Sequence, residues 1–330
     1  MAHLSDDRGQ ILLVAAFALA VIFVAMALIV NSAIYTENLA SRGETAGADG
    51  ALSMRAQVEA NVGDAVTAAN RNDNDTIGNL TTAVNASIRT ISEQTGQQSA
   101  RSGRVVEVSN HTYREGRRIY YSGGSSFSDP GTNYQVATGI SRVPGANGTR
   151  AFVIEASNIQ ANDNSSAFQI TAQKSGATGN ANSWRARIWD AGSDTVHVKT
   201  LKHDSGSTVV EDCEVTKDSP GTAVTIDVTG GTIDGEECDA LATNATTGEN
   251  FHFAAGTGVT PGTGDSYNIS LDNASEIEGA FSMVVWDPES RPSSLDSDRA
   301  LYDVTVNYTY LTADLRYNTT VRIAPGEPDV

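Results

Sequence analysis

The sequence predicts an α+β protein. A long N-terminal transmembrane helix and a helical stalk precede a mainly antiparallel, sandwich-like β head outside the cell. Three observations carry this. Residues 11–30 read ILLVAAFALAVIFVAMALIV, with no charged side chain. Apolar residues then recur at helical spacing as far as Ile91. From Arg104 onward the period falls to two, and Gly, Asn, Asp and Ser clusters interrupt it every ~8–15 residues, the pattern of a sandwich or meander.

The apolar run is the first element. Twenty helical residues at 1.5 Å each cover about 30 Å, the thickness of a hydrocarbon core. An isolated segment in lipid satisfies its backbone only as a helix. A cleaved secretory signal fits less well, because its apolar region is usually about 7–15 residues. Asp6 and Asp7 also outweigh Arg8 ahead of the run, and only the weak site Val30-Asn31-Ser32-Ala33 follows it. No Cys lies beside it to carry a lipid. Lys and Arg counting does not orient the span, with Arg8 on one side and Arg42 on the other.

Eleven Asn-x-Ser/Thr sequons do orient it: Asn74, Asn79, Asn85, Asn110, Asn147, Asn164, Asn244, Asn268, Asn273, Asn307 and Asn318. All follow the apolar run, and N-glycosylation belongs to the outer side. A surface rich in Ser, Thr and Asn also makes sequons by accident. The expected organisation is therefore a cytoplasmic segment 1–10, a membrane helix 11–30, an extracellular helical stalk 31–100 and a β-rich head 104–330. The bilayer is the partner expected for residues 11–30.

In the stalk, Val58, Val62, Ala65, Val66 and Ala69 fall on one helical face. The polar run 70–75 breaks the helix, and Asp75 or Thr76 caps a second one. Ile77, Leu80, Val84, Ile88 and Ile91 line that helix, which ends near Gly96. This stripe packs on the first helix or on the sheet; a partner-binding coiled coil is the sharper alternative.

In the head, Val106 and Val108, then Ile119 and Tyr121, suggest a first hairpin. Further strands are expected at 134–140, 151–156, 168–172, 184–189, 195–201, 208–215, 223–228, 251–254, 267–271 and 280–286. Tyr302, Val304, Val306, Tyr308 and Tyr310 alternate with Asp303, Thr305, Asn307 and Thr309, so one face is apolar and the other polar. A bulge or turn near 311–314 shifts the register for Leu315 and Tyr317. The expected grouping joins strands of 104–145 with those of 281–323 and makes 151–280 an inserted β unit. The tail 325–330 is expected to fray.

Composition narrows the function. The 330 residues carry 22 basic and 40 acidic side chains, for a net charge of −18. A pI near 4.5 excludes a nucleic-acid partner, which needs clustered cations. Four lysines stand against eighteen arginines, and the acids are spread along the chain. Such a surface suits strong brine, where the Debye length falls to roughly 3 Å at 1 M salt. Cys213 and Cys238 fit a disulfide between adjacent strands, or two buried thiols; no C-x-x-C exists. His3, His111, His197, His203 and His252 lack metal-ligand spacing, although His197 and His203 share a strand face. Asp73 and Asp75, and the acidic run 234–239, match no calcium loop. No nucleophile elbow, H-E-x-x-H or P-loop occurs. Catalytic, metal and cofactor residues are therefore assigned nowhere, and a non-enzymatic role is expected.

Asp7-Arg8-Gly9-Gln10, followed directly by the apolar run, resembles the signal segment of type IV pilin-like proteins. The stretch DDRGQILLVAAFALAVIFVAMALIVNSAIYTENLASRG also resembles uncharacterised membrane proteins of haloarchaea. The resemblance covers only about 35 residues of the chain. It implies cleavage between Gly9 and Gln10 by a prepilin peptidase, then a long helix bearing a β head. It also implies pilin-like partner subunits in a filament or secretion-type assembly. Two features depart from the pattern: Val14 stands where many bacterial pilins place Glu, and the chain exceeds many archaeal pilins in length. The alternative readings are a permanently anchored surface glycoprotein or adhesin and, less directly, an anchored extracellular enzyme or solute-binding protein.

Overall fold

A computed structural model describes residues 6–71, 76–127, 134–142, 146–192, 195–204, 207–217, 222–242, 257, 259–260, 262–286 and 295–327. Two helices lead the chain, α1 (Asp6–Arg71) and α2 (Ile77–Ala100). The 66 residues of α1 make a rod about 100 Å long. Thr76, with extended backbone, caps α2 by accepting from Asn79 N at 3.3 Å.

The strands form two antiparallel sheets. The eight-stranded sheet contains β1 (Val105–Tyr121), β3 (Thr149–Ile159), β8 (Val224–Asp227), β9 (Thr232–Ile233), β10 (Glu236–Glu237), β12 (Ile277–Val285), β13 (Asp296–Leu311) and β14 (Arg316–Ile323), in the order β10-β9-β8-β3-β12-β1-β13-β14. The six-stranded sheet contains β2 (Tyr134–Ser141), β4 (Phe168–Lys174), β5 (Ser183–Asp190), β6 (Thr195–Asp204), β7 (Ser207–Thr216) and β11 (Ser266–Asp272), in the order β2-β11-β4-β5-β6-β7. A short helix α3 (Asp239–Ala242) follows β10.

Two cores result. Between the sheets, Phe152, Ile154, Phe281 and Met283 meet Phe168, Ile170, Trp184 and Ile188, all nearly or fully buried. Between helices and sheet, Val58, Val62 and Val66 of α1 and Leu80, Val84 and Ile88 of α2 meet Val304, Val306, Tyr308 and Tyr310 of β13. The head is thus a helix-covered tier followed by a sandwich tier, and β1 contributes to both, through Val106 and Val108 to the first and Ile119 to the second.

Several expectations change. The helical stripes of 51–100 do pack on each other and on the sheet, as their spacing allowed, so this part of the expected stalk belongs to the head and covers one end of the eight-stranded sheet. Burying them there removes from water the apolar face that a free stalk would expose. The hairpin expected around 106–121 is one 17-residue strand. Register shifts at Ser109/Thr112 and Arg114/Glu115 break its alternation, which reads in sequence as a turn. The 151–280 region is not one inserted unit. Its strands divide between the sheets: β3 and β8–β10 join the eight-stranded sheet, whereas β4–β7 and β11 pair in the other with β2. Period-two patterning marks a strand's faces but not its partner. The turn at 311–314 closes the β13–β14 hairpin, with Thr312 N donating to Leu315 O at 2.8 Å. Residues 251–254 lie outside the described residues.

Candidate functional site

The backbone of residues 11–30 is continuous helix within α1, and Gly9 and Gln10 lie in its first turns. Beyond them Phe17, Leu19, Ile22, Phe23, Val24, Met26, Leu28, Ile29 and Val30 are each at least half exposed, up to 70% at Phe17. At 100° per residue these positions circle the helix, so no polar face remains for water. Among the described residues no helix is long and apolar enough to cross a membrane. The side chains of 11–16, 18, 21 and 25 lie outside the described residues.

The other end of α1 is docked. Val58, Val62, Val66 and Ala69 are buried, and Tyr308 Oη donates to Ala51 O at 3.1 Å. Gly50 permits the approach, because an added Cβ would stand 3.0 Å from Tyr310 Oη. Asn70 ends the contact. Its Nδ2 donates to Leu301 O and its Oδ1 accepts from Leu301 N, both at 2.9 Å.

Next to Leu301 lies a buried polar cluster. Asp303, 1% exposed, accepts from Arg114 Nε and, at 2.6 Å, from Arg322 Nε. Glu327 accepts from Asn147 N at 2.9 Å and from Tyr302 Oη, and pairs with Arg322 Nη1 at 2.5 Å. Arg150, 1% exposed, donates to the carbonyls of Tyr302, Leu301 and Pro325 at 2.5–2.7 Å. Burial pushes the Arg150 guanidinium down to about 10, with Tyr302 and Glu327 opposing, so it stays charged at neutral pH. Ala151 N adds a bond to Gly326 O at 2.7 Å. The tail expected to fray is therefore held at 325–327; residues 328–330 lie outside the described residues.

A cleft of about 290 Å³ opens between the end of α1 and the sheet face turned away from the sandwich core. Thr67, Asn70 and Arg71 border it from the helix, and Arg118, Tyr120 and Ser282 from the sheet. The Arg118 guanidinium stacks 4.3 Å from the Tyr120 ring centre and donates from Nε to Ser282 Oγ at 3.2 Å.

The cysteines form a disulfide, with Cα atoms 5.5 Å apart. It joins β7, at the edge of the six-stranded sheet, to the residue after β10, at the edge of the eight-stranded one. The expected bridge between adjacent strands is thus a bridge between sheets, because the chain crosses over between the two cysteines.

The sequons divide by burial. Asn79, Asn85, Asn273 and Asn318 are exposed, while Asn164, Asn268 and Asn307 are half-buried. Asn147 is 0% exposed and its Oδ1 accepts from Arg142 Nη2 at 2.9 Å, so the folded head has no room for a glycan there. Burial is invisible in a three-residue motif. Asn74 and Asn244 lie outside the described residues, as does the side chain of Asn110.

His197 stacks on Trp189, with ring centres 5.1 Å apart, and sits 3.1 Å from Glu214. His203 has its pKa lowered by burial and then by Arg185. Asp234 Oδ1 accepts from Thr225 N at 2.7 Å. Among the described residues no three His, Cys, Asp or Glu side chains could hold a metal. His3, His252, Asp73 and Asp75 lie outside them.

Sequence reading missed the Arg150–Asp303–Glu327 cluster. Asp303 alternates with apolar residues, the pattern of a solvated strand face. Its two arginine partners stand on other strands, Arg322 19 residues on in the next strand and Arg114 189 residues away. The Pro-Gly-Glu ending at Glu327 looked like an ordinary loose tail.

A family model described as a family of unknown function, DUF7261, matches residues 5–116, which hold all of α1 and α2 and most of β1. No curated protein and no solved structure matches the chain.

Proposed function

We propose that this chain is a non-enzymatic, membrane-anchored subunit of pilin-like or pseudopilin-like type. Its N-terminus is cytoplasmic, residues 11–30 lie in the bilayer, and its head projects outside the cell. One observation carries the reading: a single helix leaves its described apolar side chains between Phe17 and Val30 uncovered and is docked in a folded head at its other end. An uncovered apolar helix of this kind needs lipid or neighbouring helices around it. Docking of 51–69 fixes the head rigidly to that helix, so packing among apolar helices would order the heads in a filament or an export assembly. Asp7-Arg8-Gly9-Gln10 supplies the processing junction.

Intact mass of the protein extracted from membranes tests this. The expected species begins at Gln10. A chain still beginning at Met1 or Ala2, together with no loss of surface filaments when the gene is deleted, would leave the second reading. That reading is a permanently anchored surface glycoprotein or adhesin, and the exposed sequons Asn79, Asn85 and Asn318 favour it. Recovery of the native chain in the cytosol would overturn both.

A further inference from the structure

We infer that the cleft at the end of α1 binds a small hydroxylated acid of the sugar-acid class, one carboxylate on a polyhydroxyl ring. The proposal goes beyond anchoring and does not depend on it.

Charge is the first argument. The chain has a net charge of −18, yet Arg71, Arg118 and Arg150 border this cleft against Glu155. Asp298, the register partner of Arg118, adds a second acid nearby, and three cations still face two anions.

Burial is the second. The hydrogen bonds that Arg150 makes among the described residues go to backbone carbonyls. The neighbouring carboxylates are taken: Asp303 by Arg114 and Arg322, Glu327 by Arg322. The cluster thus sets three guanidiniums, Arg150 buried and Arg114 and Arg322 about a quarter exposed, against two carboxylates. A buried guanidinium bonded to no carboxylate is costly even with Glu327 and Asp303 near it, and an anion in the cleft offsets that cost.

Shape and side chains choose the class. About 290 Å³ lies at the small end of ligand pockets, which run roughly 300–1,000 Å³. Arg118 is already held by Tyr120 and Ser282, so its remaining donors are pre-set for a carboxylate. The hydroxyls of Thr67, Ser122 and Ser282 offer donors and acceptors for a ring's hydroxyls. Counted along α1, the cleft lies about 60 Å beyond Val30, well clear of the apolar segment.

The test is isothermal titration of the full chain in detergent micelles, in the lowest salt that keeps it folded. Glucuronate, glucose and sulfate are the probes. Glucuronate is expected to bind, with glucose and sulfate each about tenfold weaker or worse, since charge-assisted bonds and hydroxyl contacts both contribute. Arg118→Gln and Arg71→Gln are each expected to weaken glucuronate by about tenfold. Arg71 is exposed in the last helical turn, so its variant should unfold at the parent's temperature. Absence of glucuronate binding overturns the proposal, and so does binding unchanged in both variants. Glucose binding as tightly as glucuronate excludes the acid; sulfate doing so excludes the sugar.

Discussion

Asn70 Nδ2 and Oδ1 hydrogen-bond the backbone C=O and N–H of Leu301, both at 2.9 Å. The β13–β14 register ends at Val304 opposite Ile323, so at Leu301 the side chain of a helical residue stands where a strand would continue. This contact locks the last turn of the long helix to the sheet across 231 residues of sequence.

Asn70→Ala takes away the bond that the buried Leu301 N–H makes and leaves the Leu301 C=O to Arg150 alone. The expected loss is about 1–3 kcal/mol, read from the urea midpoint at unchanged slope. Asn70→Asp keeps the acceptor and loses the donor, and should fall between the two. A variant as stable as the parent would show that the helix end is not held here.

Asp303 and the Glu115–Arg299 pair make a contrast within one strand ladder. Asp303→Ala takes the buried carboxylate from Arg114 and Arg322, which are about a quarter exposed, and should cost about 2–4 kcal/mol. Glu115 and Arg299 are 55% and 51% exposed, so Glu115→Ala should cost about 1 kcal/mol or less. Parallel thermal melts distinguish the two, and similar losses would contradict the burial argument.

Reducing the Cys213–Cys238 bond, or replacing both residues by Ser, should lower stability by about 3 kcal/mol for a loop of 25 residues. Because the bond joins the two sheets, hydrogen exchange should rise in β7 and in 232–242 before it rises in β1 or β13. Exchange rising first in β13 would place the weak point elsewhere.

Glycan occupancy should follow burial. Asn147→Gln should leave the mass of glycoprotein from the native host unchanged beyond the substitution itself. Asn79→Gln, Asn85→Gln and Asn318→Gln should each remove one glycan where the sequon is used. A glycan mapped to Asn147 by peptide mass spectrometry would contradict the fold around it.

Acid should find the Asp190–Lys217 pair, whose atoms lie 2.6 Å apart. Burial works to raise the Asp190 pKa, but the bond from Lys217, the Gly192 N–H and nearby positive charge outweigh it, and the net direction is down. A carboxylate lowered on folding adds stability above its ordinary pKa near 4, and that stability is lost as pH falls through the lower folded value. Lys217→Met should flatten this part of the stability profile between about pH 5 and 2. An unchanged profile would show that the pair contributes nothing measurable.

The helices and most strands could be read locally. Val58, Val62, Val66, Leu80, Val84 and Ile88 announce two buried helical faces by spacing alone, and Tyr302 to Tyr310 announce a half-buried strand. The long strand β1 could not, because its bulges imitate a turn. The burial of Asn147 and the joining of Asp303 to Arg114 carry no local signal either, since each depends on residues brought together from distant positions.

Sequence by itself determined the uninterrupted apolar helix at 11–30, the acidic balance of the chain and the periods that separate helix from strand, because each follows from neighbouring residues and elementary geometry. Only the tertiary structure decided which sheet each strand joins, that the second helix covers a sheet, and that the end of α1, Arg118 and Arg150 enclose one cleft. Those outcomes rest on pairing and packing between distant segments, where many registers satisfy the same local pattern and only the assembled core selects among them.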